Sequence, residues 1–308
     1  MVILLAKVTL GYNQKFALEE IRNFMDENRY PEITPVLPEG GGCWRMTRMS
    51  NLFHWPDFLP AFGHAAEAAG FSRTILAETD AGPLVVWERP AAGPRVYVSS
   101  GIHGDEPAGP LAMLKLMEDG FFAPSVDWVL CPALNPTGLA AGRRENAAGI
   151  DLNRDYWLRR TAEVTSHAAW LEARAVPGLF LSLHEDWEAN GFYFYEINLG
   201  VDEPCRAEDI IGAVKPWFLP DPGHEIDGHL PRGPGWIYHE AEADVPEGWP
   251  EAIYLAKLGC PLSFTFETPS HAALPDRVAA HCAAVRAACR RPILDSKMGT
   301  TETLRTTE

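Results

Sequence analysis

From Asp57 to Gly70 the apolar residues Phe58, Leu59, Phe62, Ala65, Ala66 and Ala69 recur at three- and four-residue intervals, which predicts a surface helix stopping at Gly70. Beyond it the period changes. Short apolar runs closed by polar or glycine-bearing residues predict strands at 84–88 (LVVWE), 95–100 (RVYVSS), 127–134 (DWVLCPAL), 179–184 (LFLSLH) and 263–268 (SFTFET). Between them, Pro107 to Glu118 carries a proline in its first turn and an apolar stripe of Leu111, Leu114 and Met117, so a helix is expected there. Strands alternating with helices predict an α/β fold, a mixed central sheet flanked by helices, in which ligands gather beyond the carboxyl ends of strands. Residues 200–250, rich in Pro, Gly, Asp and Glu, read as long loops. Residues 1–50 contain PEITPVLPEGGG, which punctuates rather than packs, and read as an N-terminal extension; Met46 and Met49 are alternative starts. The main domain is expected over 51–295. The tail 296–308, with five threonines and no apolar period, is expected to be disordered.

Composition adds exclusions. A chain of 308 residues can bury a core without metal or crosslink support. No run approaches the roughly 20 apolar residues of a membrane span. The chain is therefore expected to be soluble, with no membrane partner. Lys and Arg total 26 against 42 Asp and Glu, a net charge of −16, which argues against a nucleic-acid partner. Any anionic ligand then requires a local cluster of arginines. The six cysteines form no C-x-x-C pair and MVILLAK lacks the marks of a signal peptide, so a reduced, cytoplasmic location is expected.

Three H-x-x-E pairs occur: His64/Glu67, His103/Glu106 and His239/Glu242. The first lies on the Ala-rich helix and reads as a solvated pair. The third falls in a loop-like acidic run and reads as surface. Only His103-Gly-Asp-Glu106 follows a strand and sits beside glycines, where one turn can aim an imidazole and a carboxylate above the sheet at one zinc ion. His184 closes another strand and is the candidate third ligand, because a catalytic zinc takes three protein ligands and keeps one position open. Glu267 stands in an otherwise apolar strand, a costly place for a carboxylate without a role; beside a metal it can carry a proton from water to a leaving nitrogen. Arg143, Arg144 and Arg154 put three guanidiniums within twelve positions, the local cluster that an anionic ligand demands. A guanidinium binds a carboxylate through two parallel hydrogen bonds or steadies an oxyanion.

The ordered set H-G-D-E, N-P-T-G, R-R-E-N-A-A-G-I-D-L-N-R, a strand-end histidine and F-E-T-P resembles the zinc carboxypeptidase family, with its succinylglutamate desuccinylase and aspartoacylase branch, over roughly residues 57–295. The resemblance implies the fold of that family, with 51–295 as the catalytic domain. It implies one Zn2+ per chain on His103, Glu106 and His184, and Glu267 as general base. It also implies Arg144 as the oxyanion arginine, with Arg143 its neighbouring rival, and Asn153 and Arg154 as the grip on a substrate carboxylate. Asp151 matches the acid that orients the first histidine. The implied function is hydrolysis of an amide bond next to a free carboxylate, most simply in small peptides. An N-acyl amino acid deacylase is the near alternative, and a catalytically silent binding module the distant one. Glu106 and His184 are 78 positions apart, closer to the compact deacylase branch. Tyr238 and Tyr254 are candidates for the mobile tyrosine of the peptidases, but the role is carried to neither. The acidic run Glu185-Asp186-Trp187-Glu188 is expected to offer one carboxylate to a substrate ammonium.

Overall fold

The computed structural model describes residues 53–292 apart from 201, 203 and 204; the N-terminal extension and the tail lie outside the described residues. At its centre are the runs with the strongest apolar signal. Strands β3 (Arg95–Ser100), β4 (Asp127–Cys131), β5 (Leu179–Asp186) and β8 (Leu262–Pro269) are parallel neighbours in the order β4-β3-β5-β8. Antiparallel strands extend both flanks. On one side β2 (Gly82–Arg89) pairs with β4 and β1 (Ser72–Thr79) with β2; on the other, β6 (Tyr193–Asn198) pairs with β8 and the short β7 (Trp236–Tyr238) runs parallel to β6.

Both faces of the parallel centre are covered, which is why LFLSL reads as an unbroken apolar run rather than an alternation. Val96, Val98, Leu179 and Leu181 face one layer, while Tyr97 and Phe180 between them face the other. The first layer contains α1 (Trp55–Ala68), α2 (Ala108–Glu118) and α7 (Leu274–Ala288), and includes residues of α5 (Cys205–Val214). The second contains α4 (Ala162–Glu172) and α6 (Glu251–Lys257). Helix α1 starts two residues earlier than its apolar period suggests, with a proline in its first turn, and buries Trp55, Phe58, Phe62 and Ala66. Among the described residues no helix is long and apolar enough to cross a membrane.

The region 200–250 is not all loop, since it holds α5 and β7. The edge strand β1 has a largely exposed face and no apolar alternation, and β7 is only three residues long, so neither carries a sequence signal. Strand β4 stops at Cys131, short of the expected 134. Its continuation turns back, and Leu134 and Asn135 donate their N–H groups to Ser100 and Gly101 beyond β3. That return places the 135–144 turn directly beside the segment leaving β3.

Candidate metal centre

The carboxyl ends of β3, β5 and β8 supply the site. After β3 the chain turns at Gly101, whose φ of +62° suits a residue without Cβ, and enters His103-Gly-Asp-Glu106. Gly104 lies back to back with Gly138; a Cβ on Gly104 would stand 1.9 Å from the Gly138 carbonyl carbon. Asn135 locks the two segments together: its oxygen accepts from Gly138 N–H (2.8 Å) and its amide donates to Ile102 and Arg144 carbonyls (both 3.2 Å). Short α3 (Pro136–Ala141) follows and ends at Gly142 in the left-handed region. Arg144 is thereby delivered to the turn that holds His103.

His103, Glu106 and His184 are buried, and their ligand atoms lie within 4.8 Å of one another. His103 Nδ1 is 2.6 Å from Glu106 Oε1, and His184 Nδ1 is 3.0 Å from Glu106 Oε2. The other His103 nitrogen, Nε2, donates to Asp151 Oδ1 at 3.2 Å. Both nitrogens of this ring face carboxylates, so the ring requires either a second proton or a cation at Nδ1. Burial disfavours a charged ring, yet Glu106 and Asp151 outweigh it and hold the His103 pKa up at about 9. Glu106 is held well below the usual carboxylate range, with burial opposed by both histidines. Its Oε2 is buried without a hydrogen-bond partner despite the nearby His184 nitrogen. A buried carboxylate with one imidazole nitrogen against each oxygen offers a place for a cation, and the N, N, O donor set suits a divalent metal of borderline softness.

Around this centre stand the remaining candidates. Glu267 is half-buried on β8, in register with His184 on β5 and Tyr193 on β6, so it is interior to the sheet. Burial pushes its carboxyl well above the usual value, and the charges of Glu106, Asp186 and Asp227 push it further. Arg144 donates from Nε to Asp151 Oδ2 (3.1 Å) and keeps Nη1 3.8 Å from Glu106. The segment after Asp151 is a 3-10 turn, Leu152–Arg154, capped by Asp151 Oδ1 accepting from Asn153 N–H at 2.8 Å. Asn153 and Arg154 both line a cleft of about 260 Å3 that also includes His103, Glu106, His184 and Glu267. Arg143, in contrast, is exposed and is not part of the cleft wall.

The structure narrows one sequence expectation and locates the other groups singled out. Glu185 cannot receive an ammonium: Oε1 accepts from Ala108 N–H at 2.7 Å and the other oxygen pairs with Arg277. Of its neighbours, Asp186 lines the cleft and accepts from Tyr193 OH at 3.0 Å. Tyr238 bonds the Asn198 carbonyl and Tyr254 bonds Glu172, and neither lines the cleft. His239 does not act with Glu242, which pairs with Lys257; it lines the cleft near His229 and Asp244. The pair His64/Glu67 is exposed on α1, as its context suggests.

Sequence reading missed the support beneath Asn153. Its Oδ1 accepts from the Glu251 N–H at 2.9 Å, and the Glu251 carboxylate is fully buried, accepting from Tyr97 OH (2.8 Å) and Ser99 OH (2.7 Å). His167 sits between Tyr97 OH (3.0 Å) and Tyr156 OH (2.8 Å). These residues are scattered from 97 to 251, and no local motif marks them.

A family model described as the succinylglutamate desuccinylase/aspartoacylase catalytic domain matches residues 92–177, the stretch that carries His103, Glu106, Arg144 and Asn153. Carboxypeptidase 2 of Trichophyton tonsurans is 31% identical over 183 residues, 52% of this chain and 33% of that protein. A crystal structure titled "putative metallopeptidase" from Shewanella denitrificans OS217 superimposes with a TM-score of 0.66 at 25% identity, covering 76% of this chain and 88% of that one. Over these stretches the chain is similar to proteins of the zinc carboxypeptidase-like superfamily. The fold is also similar to that of bovine thrombin-activatable fibrinolysis inhibitor, at TM-score 0.56, 13% identity, 77% of this chain and 95% of that one. The chain spans about a third of the length of the curated relatives it matches.

Proposed function

We propose that the protein is a zinc-dependent hydrolase cleaving an amide bond beside a free carboxylate, a metallocarboxypeptidase acting on small peptides. The observation that carries this reading is the convergence of His103, Glu106 and His184 in a cleft that Glu267, Arg144 and Arg154 also line. Zinc bound by that triad supplies Lewis-acid chemistry, acidifying water and polarising a carbonyl. Glu267, whose carboxyl is held above the usual carboxylate range by burial and by the charges of Glu106, Asp186 and Asp227, takes a proton from the attacking water and passes it to the leaving nitrogen. Arg144 faces the charge that develops on the carbonyl oxygen; Asp151 holds its guanidinium and the His103 ring together. Arg154 and Asn153 receive the substrate carboxylate. A cleft of this size fits a few residues rather than a folded protein. Asp186 and Asp227 on its wall favour substrates that also carry an ammonium.

Deacylation of an N-acyl amino acid is a second reading, favoured by the family model over 92–177. A screen of free and amidated dipeptides and N-acyl amino acids with zinc-loaded protein separates the two by product: a released C-terminal residue or a released acyl acid. Glu267→Gln should lower turnover by about 10²–10⁴-fold while leaving the metal content unchanged. Undiminished turnover in that variant would remove Glu267 from the reaction.

A further inference from the structure

A second cluster adjoins the same cleft: His239 and Asp244 line it, and His229 lies beside them. The hairpin turn Asp227-Gly228, both residues at positive φ, is closed by reciprocal Ile226–His229 backbone bonds of 2.9 Å and presents His229. His239 follows β7, anchored by its N–H on the Glu196 carbonyl at 2.8 Å. Asp244 comes from the segment beyond. His229 Nδ1 donates to the Asp227 carbonyl at 2.7 Å and His239 Nδ1 donates to the Glu240 carbonyl at 2.5 Å. A carbonyl only accepts, so each Nδ1 carries the hydrogen, and in the neutral ring the lone pair is on Nε2. Both Nε2 atoms lie 3.4 Å from Asp244, one from each carboxylate oxygen, and the rings are 5.1 Å apart. Two lone pairs and an anion facing one point repel one another unless a positive charge lies among them. Two imidazolium rings at that spacing repel each other in turn.

We propose that His229, His239 and Asp244 form a second metal site, taking a divalent cation of the zinc type. The donor set is two imidazole nitrogens and a carboxylate, and each ring is oriented by a backbone carbonyl behind it, the arrangement that fixes ligating histidines. The ligands arrive from three separate segments, so the ion staples them. Its consequence reaches the cleft: Asp244 leads into Gly248, where a Cβ would lie 3.4 Å from the Arg154 Cδ. Fixing that segment shapes the wall over Arg154. The link to substrate rests on the carboxylate role proposed for Arg154, whereas the metal site does not.

Zinc stoichiometry of the full chain, by native mass spectrometry and calorimetric titration, tests this. The wild type should bind two equivalents. His239→Ala and Asp244→Asn should weaken one of them about tenfold or more and leave the other intact, whereas His103→Ala should remove the complementary one. Asp244 is two-thirds exposed, so Asp244→Asn decides the matter if His239→Ala does not fold. Zinc should also slow proteolytic cleavage between 240 and 248 in the wild type but not in Asp244→Asn. A single equivalent that His103→Ala abolishes, or two equivalents unaffected by both second-site variants, overturns the proposal. A single equivalent lost in Asp244→Asn but kept in His103→Ala supports this site and sinks the triad instead.

Discussion

Glu106 illustrates what a single residue owes to its surroundings. Its burial is tolerable because two imidazoles hold its charge, and those imidazoles are aligned by other groups, of which Asp151 is the most exposed to mutation. Asp151 touches both His103 and Arg144, so Asp151→Asn should lower metal affinity about 10–100-fold through the loosened ring, with the fold retained. Competition titration against a chelator of known affinity measures it; unchanged affinity would show that His103 is oriented by packing alone. The candidate triad and Glu267 were singled out in the sequence by their strand context, and Arg144, Asn153 and Arg154 by the arginine cluster and the family resemblance; all of them line one cleft. The fate of Glu185 was not legible. Its partner Arg277 is 92 positions away on α7, and no local pattern distinguishes a free carboxylate from one already paired.

At the scale of elements, positioning depends on two contacts that leave no room for change. The first is the Gly104–Gly138 approach. Gly104→Ala forces the metal-binding turn off the 135–144 turn, and should abolish triad metal binding and lower the thermal midpoint, read by calorimetry on the same sample. The second is the first turn of α6, where Glu251 reaches into the sheet to Tyr97 and Ser99. Burial pushes the Glu251 carboxyl up to about 7, against the hydrogen bonds from Ser99 and Tyr97. A carboxyl raised in the folded state holds its proton there more tightly than in the unfolded chain. Its contribution to stability is therefore full below about 4.5 and is lost as pH rises through 7. Relative to the wild type, Glu251→Gln should gain stability between pH 5 and pH 8, by up to about 3 kcal/mol. Paired denaturant titrations at the two pH values check this, and a pH-independent difference would contradict it. The central strands β3, β5 and β8 were legible as continuous apolar runs. Helices α4, α6 and α7 and strands β1, β6 and β7 were not foreseen, β1 and β7 because one is an exposed edge and the other only three residues long.

For the whole molecule, the metal proposed for the triad would add to the stability of the fold, since three buried polar side chains from two strand ends converge there. Saturating metal at about 1,000 times its dissociation constant contributes about 4 kcal/mol. Removing it with a chelator should lower the thermal midpoint on the order of 10 °C, restored by zinc. A midpoint indifferent to chelation would mean that the site binds metal weakly or not at all. Charge also changes meaning at this scale: the net −16 is an average, while Arg144 and Arg154 line the cleft together with Asp186, Asp227 and Asp244. The sequence by itself determined the α/β class and the central strands and singled out the candidate triad and arginines, because apolar period and short motifs are local properties of the chain. Tertiary structure alone decided that Arg143 stays outside the cleft, that Glu185 is taken by Arg277, and that His229, His239 and Asp244 meet. Those outcomes depend on which distant segments the sheet order brings side by side, and sheet order is a matter of packing between strands rather than of any residue's neighbours in sequence.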